Sequence, residues 1–172
     1  MKKIIVLIMA TLLGIAMVAC GNGGETGQIT QPPANDVQNH TFIFRNVEIP
    51  MGAHPDSVVL ALGPPQHEMR QPNCAIEGED VMRYFPGMVL SFTYPADGGA
   101  PFIASVRLMD DSLTTPEGLY IGAAADMVAQ LYGQYDREVN GFYYFDQGRS
   151  TLEIAVENGV VMQITYQYLF LD

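Results

Sequence analysis

The stretch MGAHPDSVVLALG, residues 51–63, occurs a second time in altered form as IGAAADMVAQLYG at residues 121–133. At an offset of 70 residues, and without a gap, the two stretches share both glycines, the alanine after the first glycine, the aspartate and a valine. Self-similarity at a fixed offset indicates an internal duplication. The pattern therefore predicts two units with the same order of elements.

Each copy has the pattern of one short helix that ends at a glycine. In the second copy Asp126 would lie in the first turn, where a carboxylate favours the positive end of the helix dipole. In the first copy we expect His54 at the N-cap and Pro55 at the first helical position, where proline is best tolerated. Helices of two or three turns are not stable alone in water, so both must pack on the strands that follow.

The N-terminus has the pattern of a secretory signal sequence, predicted to span residues 1–19. A basic start, residues 1–3, precedes an uncharged apolar run from Ile4 to Val18, which is shorter than the about 20 residues of a spanning helix. An uncleaved membrane anchor is the alternative. Residues 17–20 resemble the lipobox of bacterial lipoproteins, with Met17 in place of the usual leucine. The resemblance implies lipidation of Cys20, which two acyl chains would hold stably at the outer face of the cell membrane.

Composition divides the rest of the chain. Residues 20–39 are rich in Gly, Asn, Thr, Gln and Pro, so they cannot bury enough apolar surface to offset their ordering entropy and are predicted to be a flexible tether. The first helix-plus-sheet repeat is expected over residues 40–112 and the second over residues 113–172. Each half would be marginal alone, so the two are expected to share a core.

The charge balance excludes two classes of partner. The chain has 19 acidic residues against 8 basic ones, and removal of the signal sequence would leave six arginines and no lysine. Nucleic acids and anionic lipid surfaces both reward clustered Lys and Arg, so neither is an expected partner. No cofactor is predicted, and the chain is expected to be a monomer attached to the membrane only through Cys20.

Alternating patterns predict strands after each helix. Residues 41–47, 81–85, 88–94 and 102–109 have this pattern in the first half, and residues 139–145, 151–156 and 160–169 have it in the second. The Pro-rich residues 63–73 are predicted to be irregular. Pro86-Gly87 and Asn158-Gly159 favour tight hairpin turns. The fold class is therefore α+β, as two tandem repeats of a short helix followed by an antiparallel sheet of three to four strands. The predicted inward set is Phe145, Leu152, Ile154, Val156, Val161 and Ile164.

An ordered set of motifs resembles a family of uncharacterised lipoproteins from Firmicutes. The resemblance covers nearly the whole chain from Ile49 onward. Its motifs are residues 73–80, Tyr84, Pro86-Gly87, Tyr94-Pro95, residues 97–99, 103–106 and 110–112, residues 115–118 and Ile121-Gly122. A tandem of helix plus antiparallel sheet is also similar to the beta-lactamase inhibitor protein fold and to assembly lipoproteins of the SmpA/BamE type. This second likeness implies binding of proteins on a concave sheet face.

The sequence contains few candidates for chemistry, and no catalytic or metal-binding residue is predicted. Cys74 with His54 or His67 could form a thiolate nucleophile with a base, but no oxyanion-hole signature surrounds Cys74, so a structural cysteine is the favoured interpretation. A weak cation site would require the Cys74 loop to lie beside the predicted hinge between the two halves, residues 110–118. The carboxylates concerned are Glu77, Glu79, Asp80, Asp110 and Asp111.

Tyrosines crowd the second half and suggest a contact surface. Because only one residue of each adjacent pair in a strand can face inward, some of them must be exposed, and exposed tyrosine suits protein recognition. The predicted binding residues are Tyr132, Tyr135, Tyr143, Tyr166 and Tyr168. The expected function is a lipid-anchored extracytoplasmic module that binds a protein or peptide through a sheet face. An envelope thiol enzyme using Cys74, and a structural or assembly lipoprotein without an isolated ligand, are the alternatives.

Overall fold

The structure, a computed structural model, describes residues 38–170, so the predicted signal sequence and Cys20 lie outside the described residues. The described residues contain two helices and two antiparallel sheets, which confirms the α+β class. The helices are α1 (Asp56–Leu62) and α2 (Asp126–Tyr132). The strands are β1 (Thr41–Phe44), β2 (Val47–Pro50), β3 (His67–Pro72), β4 (Gly78–Phe85), β5 (Met88–Pro95), β6 (Phe102–Leu108), β7 (Arg137–Val139), β8 (Phe142–Gln147), β9 (Ser150–Glu157) and β10 (Val160–Tyr168).

One sheet of eight strands dominates the fold. Its order is β3-β4-β5-β6-β10-β9-β8-β7, and every neighbouring pair is antiparallel. The strands that follow α1 form one half of the sheet and those that follow α2 form the other. The halves join where Val106 of β6 lies opposite Tyr166 of β10. The last of the described strands therefore lies in the middle of the sheet.

The first predicted strand is a separate hairpin. Residues 41–47 were expected to form one strand, but β1 pairs with β2 through a turn at Arg45-Asn46, where both residues have positive φ (51° and 65°). Asparagine tolerates this conformation better than most residues, and the turn lacks the glycine that usually signals it. Asn39, which precedes the predicted first repeat, also joins the fold, because its side-chain amide donates a hydrogen bond to the Met51 carbonyl at 2.8 Å. The expected tether thus has its last residue inside the folded part.

Two further strand predictions are wrong in detail. Residues 67–72 were expected to be irregular but form the edge strand β3, whose side chains are mostly exposed. Its end residue Pro72 cannot donate a ladder hydrogen bond, which is acceptable at a sheet edge. The predicted strand at residues 139–145 is interrupted at Asn140-Gly141, a turn with positive φ at both residues that separates β7 from β8. The predicted hairpin at Asn158-Gly159 is confirmed, with φ of 52° and 77°.

Both helices end as the sequence predicts. Gly63 and Gly133 follow the last helical residues with φ of 71° and 74°, and each donates its N–H back into the helix. The expected N-cap at His54 is wrong, because Pro55 occupies that position and no side chain caps the helix. His54 instead lies with its Nδ1 3.6 Å from the Asp56 carboxylate.

The two similar stretches make matching backbone contacts. Gly52 N–H donates to the Ile103 carbonyl, and Ile103 N–H donates to the carbonyl of Ala53. In the second stretch, Gly122 N–H donates to the Val161 carbonyl, and Val161 N–H donates to Ala123. Each helix is thus attached to the last strand of its own half by the same pair of hydrogen bonds. One valine at the same position of each helix, Val58 and Val128, is buried.

A single hydrophobic core lies between one face of the large sheet and a layer formed by the β1–β2 hairpin and the two helices. We call this face of the sheet the core face. The predicted inward set is confirmed, with Phe145, Leu152, Ile154, Val161 and Ile164 buried and Val156 half-buried.

Candidate binding face of the sheet

The second face of the eight-stranded sheet, here called the open face, carries the side chains that alternate with those of the core. Residues directly opposite each other on paired strands point to the same face. The registers place one such residue from every strand in a single line across the sheet. This line, the central row, consists of His67, Tyr84, Val89, Arg107, Thr165, Glu153, Tyr144 and Arg137.

Polar and aromatic side chains lie on both sides of the middle of the central row. Val89 and Thr165 are buried, whereas Arg107 between them is exposed. Tyr84 and Tyr144 lie half-buried farther out on either side. The His67 ring packs against Tyr84 at 5.4 Å, and the Arg137 guanidinium lies 4.2 Å from the centre of the Tyr144 ring. Tyrosine and arginine are the side chains that contribute most often to protein recognition.

A groove of about 450 Å³ runs along the first half of this face and reaches β10. Uncharged hydrogen-bonding side chains form much of its floor. They include Ser91, Thr93, Ser105, Thr165 and Gln167. At one end Phe102 stacks on Phe170 with ring centres 5.6 Å apart, and Tyr168 packs on Phe102 at 5.3 Å. The groove thus combines a polar floor with an aromatic wall.

The loop that contains Cys74 is held to the groove by one asparagine. Asn73 Oδ1 accepts from the N–H groups of Ala75 and Ile76, while its Nδ2 donates to Asp80 at 2.8 Å. Asp80 also accepts from the Thr93 hydroxyl at 2.8 Å. The Asp80 carboxylate is therefore engaged inside the groove wall.

The five predicted binding tyrosines do not share one exposed face. Tyr166 is 2% exposed and lies on the core face, which corrects the expectation that it contacts a partner. Tyr143 also points to the core face, where its ring lies 4.9 Å from the ring of the exposed Tyr135. Tyr132 belongs to α2. Tyr168 alone among the five lines the groove on the open face.

Tyr132 and Tyr166 belong instead to a partly buried polar cluster beside the loop before α2, in which Tyr166 and Thr115 are buried and Glu117 is exposed. The Tyr132 hydroxyl lies 2.6 Å from Thr115 Oγ1 and 2.7 Å from Glu117 Oε2. Burial raises the pKa of Tyr132. Burial also raises the pKa of Tyr166, and the nearby Tyr132 and Glu117 add to this effect. The Tyr166 hydroxyl lies near Tyr132 and Thr115, but no group among the described residues makes a hydrogen bond of normal geometry with it.

The residues considered for thiol chemistry are not brought together. Cys74 is exposed and follows the end of β3, whereas His67 begins that strand. At about 3.3 Å per residue they are roughly 20 Å apart. His54 contacts Asp56, and nothing within residues 38–170 links it to Cys74. The arrangement thus supplies no imidazole base beside the Cys74 thiol.

The carboxylates considered for a cation site lie at opposite ends of β5. Ala96, just past the end of β5, donates its N–H to the Glu77 carbonyl, while Met109 beside Asp110 donates to Gly87 at the start of the strand. Hydrogen bonds from Ser112 lower the pKa of Asp110. Across the part of the chain that the structure describes, no three His, Cys, Asp or Glu side chains cluster as metal ligands. The Cys74 loop and the hinge that begins at Asp110 therefore lie at opposite ends of β5, and not side by side as a cation site would require.

A signal for the correct faces is present in the sequence of β10. Gln163, Thr165 and Gln167 alternate with Ile164 and Tyr166, so the set that contains the two glutamines indicates the solvent-facing side and assigns Tyr166 to the inner face. Tyr84, Arg107 and Tyr144 were not predicted as site residues, because their placement in one row depends on the pairing of all eight strands.

Within residues 38–170, neither helix has the length and apolar character needed to cross a membrane. The chain matches no protein-family model, no curated protein and no solved structure with which it was compared.

Proposed function

We propose that the protein is a lipid-anchored extracytoplasmic binding module, and that the open face of its sheet receives a protein or peptide segment. The observation that carries this proposal is the central row, because it places Tyr84, Arg107 and Tyr144 on the helix-free side of a continuous sheet. The proposed contact surface is therefore the open face, and not the face of the sheet to which Tyr143 and Tyr166 point.

The polar floor of the groove favours a polypeptide as the occupant. Ser91, Ser105 and Gln167 offer both donors and acceptors, which a peptide backbone can satisfy along its length. The flanking tyrosines add large contact area at a low entropic cost. The central row has three basic side chains, Arg107, His67 and Arg137, and Arg137 is paired with Asp146. Nucleic acid rewards a cluster of Lys and Arg, so a polypeptide rather than a nucleic acid is proposed as the occupant.

We also propose that the two halves are a tandem repeat of one helix-plus-sheet unit. The shared residues of the two stretches support it, as do the equivalent contacts of Gly52 with Ile103 and of Gly122 with Val161. The same order of one helix and four strands occurs in both halves. A fold related to the beta-lactamase inhibitor protein, with a binding face on its sheet, is part of this proposal.

Membrane attachment through Cys20 can be tested separately from binding. Growth with a clickable palmitate analogue should label the wild-type protein, and Cys20→Ala should abolish both the label and the membrane fraction of the protein. Equal labelling of the two proteins would reject lipidation at Cys20.

Site-specific photo-crosslinking in intact cells tests the open face. A photoreactive phenylalanine analogue at Tyr84 or Tyr144 should form a crosslinked species of higher mass. The matched controls are Tyr94 and Tyr120, which are exposed but lie outside the central row. Equal crosslinking at all four positions, or crosslinking at the controls alone, would refute the assignment of the open face. If Cys74 acted as the nucleophile of a thiol enzyme, Cys74→Ser would be inactive, whereas the binding proposal predicts unchanged crosslinking in that variant.

A further inference from the structure

Arg107 occupies the centre of the open face. It lies on β6, one of the two middle strands of the sheet, and its side chain is exposed in the groove. Its direct neighbours in the central row, Val89 and Thr165, are uncharged and buried. The guanidinium therefore stands above a floor that offers it no opposite charge.

Arg107 differs in this respect from the other arginines of the described chain. Arg70 and Arg83 both pair with Glu68, at 3.1 and 2.8 Å, and Arg137 pairs with Asp146 at 2.9 Å. The remaining two lie over aromatic rings, Arg45 over Phe44 and Arg149 over Tyr168. Within residues 38–170, no hydrogen bond, ion pair or ring contact is made by Arg107.

This isolation is unusual because the chain has many carboxylates. With 19 acidic residues against 8 basic ones, a pairing partner for each arginine is easily supplied. The nearest carboxylate of the central row, Glu153, is two strands away, or roughly 10 Å. Its Oε1 accepts from Gln163 Nε2 at 3.1 Å. Covering Arg107 with an uncharged partner would bury an unpaired charge, which is strongly unfavourable.

Building on the proposed function, we infer that the open face is selective for an acidic polypeptide segment and that Arg107 binds a carboxylate of that segment. A guanidinium can donate two parallel hydrogen bonds to one carboxylate, which sets both the position and the orientation of the segment. Tyr84 and Tyr144 on either side would then contact the residues that flank the acid. A single cation matches one carboxylate, whereas a nucleic acid or anionic membrane needs several.

The probe is a phage-displayed library of random linear peptides, selected on the full-length protein purified in detergent. Peptides that depend on Tyr84 and Tyr144 should carry an Asp or Glu in common. Each acid is then replaced by Asn or Gln in synthetic peptides, and Kd is measured for the wild type and for Arg107→Gln. The replacement should weaken binding to the wild type about tenfold or more, because a hydrogen-bonded charge pair is lost.

In Arg107→Gln the same replacement should change Kd by less than about twofold, since its partner is already absent. Arg45→Gln is the matched control, because Arg45 is exposed on the β1–β2 hairpin and away from the groove, and it should retain the full discrimination. A thermal melt of each variant verifies that the fold is intact.

The outcomes separate the two claims. Peptides that need Tyr84 and Tyr144 but bind equally with acid or amide would overturn the inference and leave the proposed function standing. Selection of acidic peptides whose affinity is equal for wild type and Arg107→Gln would also overturn it. If no selected peptide depends on the open face, both claims fail.

Discussion

The buried hydroxyl of Tyr166 allows a prediction in which deletion of a polar group raises stability. This side chain is 2% exposed, and none of the described residues provides its hydroxyl with a hydrogen-bond partner. A buried, unsatisfied polar group costs about 1–3 kcal/mol, and Tyr166→Phe removes that group while retaining the ring packing on Phe42. We expect the free energy of unfolding to rise by about 1 kcal/mol, and the Tm by about 4 °C for a domain of this size.

Tyr132→Phe is the matched variant, for which we expect a fall in the free energy of unfolding. Its hydroxyl lies within hydrogen-bond distance of both Thr115 and Glu117, and its ring would keep the contact with Phe145 at 5.2 Å. Loss of these bonds should lower the free energy of unfolding by about 1 kcal/mol. Urea titrations followed by circular dichroism measure both changes on the same protein. If Tyr166→Phe is less stable than wild type by about 1 kcal/mol or more, the hydroxyl is satisfied and the reasoning is wrong.

Three further predictions concern the backbone, the core and pH. Gly52→Ala should cost more than Gly133→Ala by at least about 1 kcal/mol of unfolding free energy, because both have positive φ but only at Gly52 would the new Cβ overlap an aromatic ring. Leu152→Ala should cost about 2–5 kcal/mol in the same titration, since its side chain is fully buried and its removal leaves a cavity. The third is alkaline destabilisation. Tyr132 and Tyr166 have raised pKa values in the folded state, so the stability that depends on their neutral forms is complete below pH about 10 and is lost as pH rises above it. A thermal melt series from pH 8 to 11 checks this, and Tyr166→Phe should weaken the dependence.

Local signals predicted much of the fold. Asn158-Gly159 and Pro86-Gly87 mark their hairpin turns, and the glycines at the ends of both helices are in the expected left-handed region of φ. These signals failed where a turn or a strand lacks the residues that usually mark it. The Arg45-Asn46 turn has no glycine, and β3 is an exposed edge strand whose polar side chains have no buried face to show as alternation.

The binding face was harder to predict than the elements. Tyr143 and Tyr144 are adjacent, so a shift of one residue in register exchanges the one that faces the core with the one that faces solvent. The position of Arg107 depends on the pairing of β6 with β10, whose residues are more than fifty positions apart in the chain. Composition within a strand contains no information about such a long-range pair.

Because β10 lies between β6 and β9, the strand that comes last among the described residues supplies the central seam of the sheet. Until it arrives, both neighbours present unpaired edges, and neither half can close over the common interior. The tertiary structure can therefore be completed only after β10 has been synthesised. Deletion of β10 should therefore be far more damaging than removal of the outer strand β7, which has only one neighbour in the sheet.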